Sequence, residues 1–125
     1  MTEMIYREPP YTEILDEGVY KDFHYEIVSY GSHPCAYVEL PKGHKYHGKN
    51  EDYIPIYCHG DITYSSECGI IFPEDNPNHR DGFWIGWDYN HIGDYNAIRA
   101  KTGCGGKKWT IEEIFEDVKN VINQL

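Results

Sequence analysis

The stretch TIEEIFEDVKNVINQL, residues 110–125, decides the fold class. Thr110 followed by Glu113 is a capping box, in which each side chain meets an amide that the first helical turn leaves without a partner. Ile111, Ile114, Phe115, Val118, Val121, Ile122 and Leu125 then recur at steps of three and four, one apolar stripe along an amphipathic helix. A stripe of that kind needs a surface to cover it, and the preceding chain supplies one.

Working back from the helix, Phe83–Tyr89 alternates with period two. Phe83, Ile85, Trp87 and Tyr89 share one face, and Trp84, Gly86 and Asp88 the other. Phe23–Tyr30 and Cys35–Leu40 alternate in the same way around Gly31-Ser32-His33-Pro34, which is turn chemistry, so the two read as a β-hairpin. Ile56–Tyr64 and Gly69–Phe72 read as further strands, and Tyr11–Glu17 as a helical turn or two stopped by Gly18. Residues 41–55, 73–78 and 91–106 read as loops, and the start through Pro9-Pro10 as extended chain. The expectation is one α+β domain over residues 1–125: an antiparallel β-sheet packed against a C-terminal amphipathic helix.

Charge narrows the partners. Twenty-one acids against 11 bases give a net charge of −10, which disfavours a nucleic acid polymer as ligand. Seven of those bases fall in two stretches, Lys42, Lys45 and Lys49, then Arg99, Lys101, Lys107 and Lys108; between Tyr95 and Ile111 there is no acid. These stretches are either solvated loops or local seats for an anion. Cys35, Cys58, Cys68 and Cys104 form no C-x-x-C pair, so reduced thiols are expected, and a zinc site from Cys58, His59 and Cys68 matches no standard spacing. No apolar run reaches the ~20 residues that span a bilayer. The first residues show no signal peptide, so the expected location is cytoplasmic.

Two segments concentrate reactive or ligand-binding groups, Tyr57–Ser65 and Phe83–Tyr95. With His33-Pro34-Cys35-Ala36-Tyr37-Val38 before them, they resemble a family of small uncharacterised proteins common in tailed-phage genomes. That family's pattern runs H-P-C-G-Y-V, a loop with His and Tyr, H-G-G-L-T-Y, then W-W-I-G-F-D-C-A-H-x-G-D. The resemblance covers His33 to about Asp94, with a similar amphipathic tail. It departs at Asp61, where the family has Gly, and at Tyr89, where it has Cys; the second departure weakens a thiolate–metal site. The resemblance implies a bacteriophage origin and a role inside the host bacterial cytoplasm, without supplying an activity.

Three readings of His59, Asp61, Asp88, His91 and Asp94 stand open. Asp–His pairs pin strand ends in many cores. The same donors suit a divalent metal that activates water against a nucleotide ester, although no H-E-x-x-H or comparable signature is present. Or they border a pocket in which Tyr64, Trp84, Trp87, Tyr89 and Tyr95 stack on a base, Asp61 or Asp88 holds ribose hydroxyls, and Lys107 and Lys108 at the helix start seat an anion. The tryptophans read equally as core, and the run before the helix equally as a flexible loop.

The expectation drawn from these is a viral anti-defence protein, a sponge that sequesters a small anionic nucleotide-type immune signal, without catalytic residue, metal or cofactor, and a homo-oligomer. Its expected ligand-binding residues are His59, Asp61, Tyr64, Trp84, Trp87, Asp88, His91, Asp94, Lys107 and Lys108. The competing expectations are an acidic inhibitor that docks on a host effector protein, and the metal-dependent hydrolase.

Overall fold

Sheet formation starts at a two-residue turn. In the computed structural model, which describes residues 6, 13–66, 83–91, 93–103 and 106–125, Glu13–Tyr20 (β1) and Phe23–Ser29 (β2) pair antiparallel with Tyr20 opposite Phe23. Lys21 and Asp22 take φ of 49° and 70°, the geometry of a type I′ turn, whose twist matches that of paired strands. Asn-Gly adopts this geometry with less strain. Lys21→Asn with Asp22→Gly is therefore expected to raise stability by about 1 kcal/mol, even though it removes the exposed bond from Lys21 Nζ to Asn123 Oδ1. The urea midpoint reads the change; an unchanged or lower midpoint contradicts the turn assignment.

Pro34–Leu40 (β3), Tyr64–Ser66 (β4) and Phe83–Asp88 (β5) complete an all-antiparallel sheet in the order β1-β2-β3-β5-β4. Ile111–Asn123 (α1) lies across β1, β2 and β3. The capping box forms as the sequence predicts: Thr110 Oγ1 accepts from the Glu113 amide at 3.2 Å, and Glu113 Oε1 accepts from the Thr110 amide at 3.0 Å. The α+β expectation is thus met. Among the described residues no helix is long and apolar enough to cross a membrane.

The two faces of the sheet carry different cores. Tyr25, Ile27, Ala36, Val38, Leu40, Phe83, Ile85, Trp87 and Tyr89 meet Ile114, Val118, Val121 and Ile122 of the helix. Val28, Cys35, Tyr37 and Trp84 form a smaller cluster on the opposite face, with Ile14, Tyr30 and Tyr64 packed against it.

Two expected elements are overturned. The helical turn within Tyr11–Glu17 is strand from Glu13 onward. Pairing with β2 overrides the helix propensity of Glu, Leu and Asp. A bulge between Ile14 and Asp16 hides the period of two. The strand expected over Ile56–Tyr64 begins only at Tyr64. Residues 54–63 cross the helix-facing core as irregular chain, with Ile54, Ile56 and Ile62 buried, and Gly60 and Asp61 at φ 72° and 64° break the extended run. Of the expected extended start only Tyr6 is described, in a parallel bridge with Gly31, and the strand at Gly69–Phe72 and the turn at 73–78 lie outside the described residues. The loop after β5 contains a short 3-10 turn, Arg99–Thr102.

Candidate functional site

The chain brings His59 and Asp94 together from opposite ends of the loop-and-strand region. His59 sits on a turn closed by the bond from the Asp61 amide to the Cys58 carbonyl, 3.1 Å. Just before it, the helix C-terminus clasps the backbone: Gln124 Nε2 donates to the Tyr57 carbonyl at 2.6 Å, and the Tyr57 amide donates to Gln124 Oε1 at 2.8 Å. The backbone at Asp61 is left-handed, φ 64°, a conformation that glycine adopts with less strain.

Asp94 enters from the loop after β5. Arg99 steadies that loop by donating to Asn90 Oδ1, the His91 carbonyl and the Asp94 carbonyl. A parallel bridge joins Asp94 to Lys107, and a Cβ on Gly106 would collide with the Asp94 backbone there. Only 4 % exposed, the Asp94 carboxylate accepts three hydrogen bonds: from His59 Nε2 at 2.6 Å, from the His91 amide at 3.0 Å and from Trp109 Nε1 at 2.8 Å. Burial pushes its pKa up, but the bonds from His59, the His91 amide and Trp109 outweigh burial and hold it below the usual carboxylate range.

Aromatic rings close the cluster. The His59 ring lies parallel to Tyr89, 4.9 Å between centroids at 6°, and 4.7 Å from Trp109. Tyr89 donates to Asp117 Oδ2 on the helix at 2.6 Å and accepts from Trp87 Nε1 at 3.0 Å. His91 Nε2 lies 3.1 Å from Asp88 Oδ1, at ion-pair distance but without the alignment of a hydrogen bond. The same ring rests on Gly60, where a Cβ would overlap it.

The two His- and Asp-bearing stretches therefore converge, as the sequence suggests, but they lock together through rings and hydrogen bonds. The described cavities open beside them. One, of ≈ 260 Å³, lies at the β3–β5 end of the helix-free face, between Tyr30, His33, Cys35, Tyr37, Thr63, Tyr64, Trp87 and Asp88. The other, of ≈ 310 Å³, runs along residues 51–62 and includes Glu51, Asp52, Tyr57 and Asp61.

The ten expected ligand-binding residues divide accordingly. Tyr64, Asp88 and the margin of Trp87 line the first cavity, and Asp61 the second. His59, His91 and Asp94 form the polar lock. Trp84 is 0 % and Trp87 1 % exposed, so neither ring offers a face to a ligand; each belongs to the core of its own side of the sheet. The anion seat is likewise corrected. The helix start is occupied by Glu113 of the chain itself, with Lys107 Nζ 2.8 Å from Glu113 Oε2 and 3.9 Å from the Trp109 ring. Lys108 stands over Tyr95 at 4.5 Å. Neither lysine lines the two cavities.

The residues missed by sequence reasoning are Tyr30, His33 and Tyr37 in the cavity, and Trp109 and Asp117 in the lock; Tyr89, expected to stack on a base, belongs to the lock instead. The 12 tyrosines of the chain, rings that pack while their hydroxyls stay polar, are the one signal for Tyr30 and Tyr37. Among the described residues, His59, Asp61, Asp88, His91 and Asp94 do not bring three donor atoms within 4.8 Å of one another, the convergence a metal-dependent hydrolase needs. Cys35 and Cys58 are free thiols; Cys68, the third member of the weighed zinc set, lies outside the described residues.

In comparisons with known proteins, the chain matches no family model, no curated protein and no solved structure.

Proposed function

We propose that this chain captures a small nucleotide-derived molecule in the tyrosine-lined cavity and releases it unchanged. The observation that carries the reading is the cavity's lining. Three tyrosines, Tyr30, Tyr37 and Tyr64, converge with one imidazole and one carboxylate around ≈ 260 Å³. Aromatic walls suit a base, and the Asp88 carboxylate suits ribose hydroxyls.

Among the described residues of the lining, Cys35, Tyr37 and Tyr30 are not tuned as nucleophiles. Burial raises the Cys35 thiol well above its ordinary value and does the same to the Tyr37 hydroxyl. The Tyr30 hydroxyl is pushed up to about 12, again chiefly by burial. All three stay protonated at neutral pH, when they donate or accept hydrogen bonds but do not attack. Tyr30 and Tyr37 already share a 2.7 Å bond, which holds both rings in place for a third partner.

Among the described residues the lining has no lysine or arginine, so a phosphate would stay at the mouth. Arg99, whose charge is felt at His33 after the larger effects of burial and of Asp88, is a described cation near that side. A cavity of this size takes a nucleoside moiety; enclosing a larger signal requires a second copy of the chain, the homo-oligomer expected from sequence. Together with the phage resemblance, the reading becomes sequestration of a nucleotide immune signal in the host bacterium.

The test is a thermal-shift and calorimetric screen with nucleosides, mononucleotides, cyclic dinucleotides and ADP-ribose. At least one should raise the melting temperature and be recovered intact after heat release. Tyr64→Ala should weaken that ligand roughly 10- to 100-fold, the worth of one stacking contact, with the circular dichroism spectrum unchanged. The reading fails if none of these ligands shifts the melt at millimolar concentration, and recovery of an altered nucleotide replaces capture by catalysis.

A further inference from the structure

We propose that Glu17, His24 and Glu26, on the helix-free face of the β1–β2 hairpin, form a binding site for a first-row divalent cation of the Zn²⁺ or Mn²⁺ type. The inference is independent of the ligand cavity. One imidazole nitrogen and two carboxylate oxygens from these residues lie within 4.8 Å of one another. Small side-chain adjustments bring donors at that spacing to a common ion about 2.0–2.2 Å away.

The backbone builds this convergence. In a regular strand Asp16 would share the face of Ile14. The bulge between Ile14 and Asp16 shifts the register by one residue, so that Asp16 turns toward Tyr25 in the helix-facing core, with a 3.3 Å bond between them. Glu17 then falls directly opposite Glu26, and Val19 opposite His24. Re-aiming a side chain next to a site is a recurrent use of bulges.

The placement has an electrostatic cost that a cation offsets. Glu17 and Glu26 are like charges at directly opposed cross-strand positions, which destabilises a hairpin. Glu26 is also 0 % exposed. Both it and Glu39 have further interactions of their own, so the inference rests on the convergence of donors, not on vacancy.

Two neighbours hold the imidazole. Trp84 packs against the His24 ring edge-on at 5.3 Å, and Glu39 Oε1 lies 3.8 Å from His24 Nδ1. At that separation Glu39 is within ion-pair reach of the imidazole, and a carboxylate beside a ligating histidine is a common second-layer neighbour. The mixture of one nitrogen with two carboxylates favours zinc, manganese or iron(II) over magnesium or calcium, which prefer oxygen alone.

The experiment uses the full chain, stripped with EDTA and desalted, with the metal salts themselves as probes. Calorimetry should show one equivalent of Zn²⁺ bound with micromolar or tighter affinity, a rise in melting temperature, and no comparable binding of Mg²⁺. His24→Ala and Glu17→Gln should each weaken Zn²⁺ at least tenfold; Glu17 is exposed, so its variant is expected to fold. In the unmodified protein, substoichiometric Mn²⁺ should broaden the amide resonances of residues 17, 24 and 26 first. Broadening centred on His59 and His91 overturns the assignment. So does Zn²⁺ affinity unchanged in both variants, or no binding below millimolar concentration.

Discussion

Val118→Asp leaves a chain that does not fold at 25 °C, with no cooperative melt and no near-ultraviolet circular dichroism. Val118 is 0 % exposed and sits in the core that joins the helix to the sheet. The substitution removes about 1.5–3 kcal/mol of apolar burial and drives an unpaired carboxylate into the same space. That charge either stays ionised at a cost of several kcal/mol or takes up a proton at a smaller one. Domains of this size hold only about 5–15 kcal/mol in reserve, and the rest of the stripe loses its packing with the residue. Val118→Ala is the matched control, expected to fold with about 1–3 kcal/mol less stability. A native-like melt of the aspartate variant contradicts the placement of the helix on the sheet.

That helix was legible because its signals are local. A cap, a three–four spacing and a polar opposite face all lie within residues 110–125. β2, β3 and β5 were legible for a related reason: their alternation of inward and outward residues matches the two cores on the two faces. β1 was not, since Lys21-Asp22 lacks the Asn-Gly signature of its turn and the bulge breaks the alternation. Residues 56–63 mislead in the other direction. Their isoleucines are buried as an alternating strand's would be, but the chain reaches those positions by a left-handed turn at Gly60-Asp61.

The site divides along the same line. Sequence reasoning reached the meeting of His59 with the loop after β5, but through a strand end that is a turn in irregular chain; β4 starts only at Tyr64. Trp109 and Asp117 lie 15 and 28 residues beyond their partners Asp94 and Tyr89, and no periodicity links residues so placed. What covers each face of the sheet was the missing quantity for the tryptophans as well. The helix-facing core encloses Trp87 and the smaller cluster on the opposite face encloses Trp84, so both become core. Tyr37 and Tyr64, which flank Gly86 in the sheet register, line the cavity instead.

Asp94→Ala is expected to cost about 3–5 kcal/mol at pH 7, because it deprives three donors at once, His59 Nε2, the His91 amide and Trp109 Nε1. The loss has a pH signature that an ordinary cavity lacks. Folding lowers the pKa of Asp94, since its hydrogen bonds outweigh the opposing effect of burial. The unfolded state therefore binds its proton more readily, and the carboxylate's contribution is complete only above the unfolded value of about 3.9. As pH falls from there through the folded pKa, the contribution disappears. Urea denaturation of the wild type and of Asp94→Asn, which keeps the shape but cannot ionise, should differ most near pH 7 and converge below about pH 4. His59→Asn in the same series separates the two halves of the lock. It removes the 2.6 Å bond but leaves the His91 and Trp109 donors in place, so its cost should be smaller than that of Asp94→Ala. Equal costs for His59→Asn and Asp94→Ala would mean that the His91 and Trp109 donors add nothing to the lock, and a gap between wild type and Asp94→Asn that does not change with pH would mean that the charge of Asp94 plays no part.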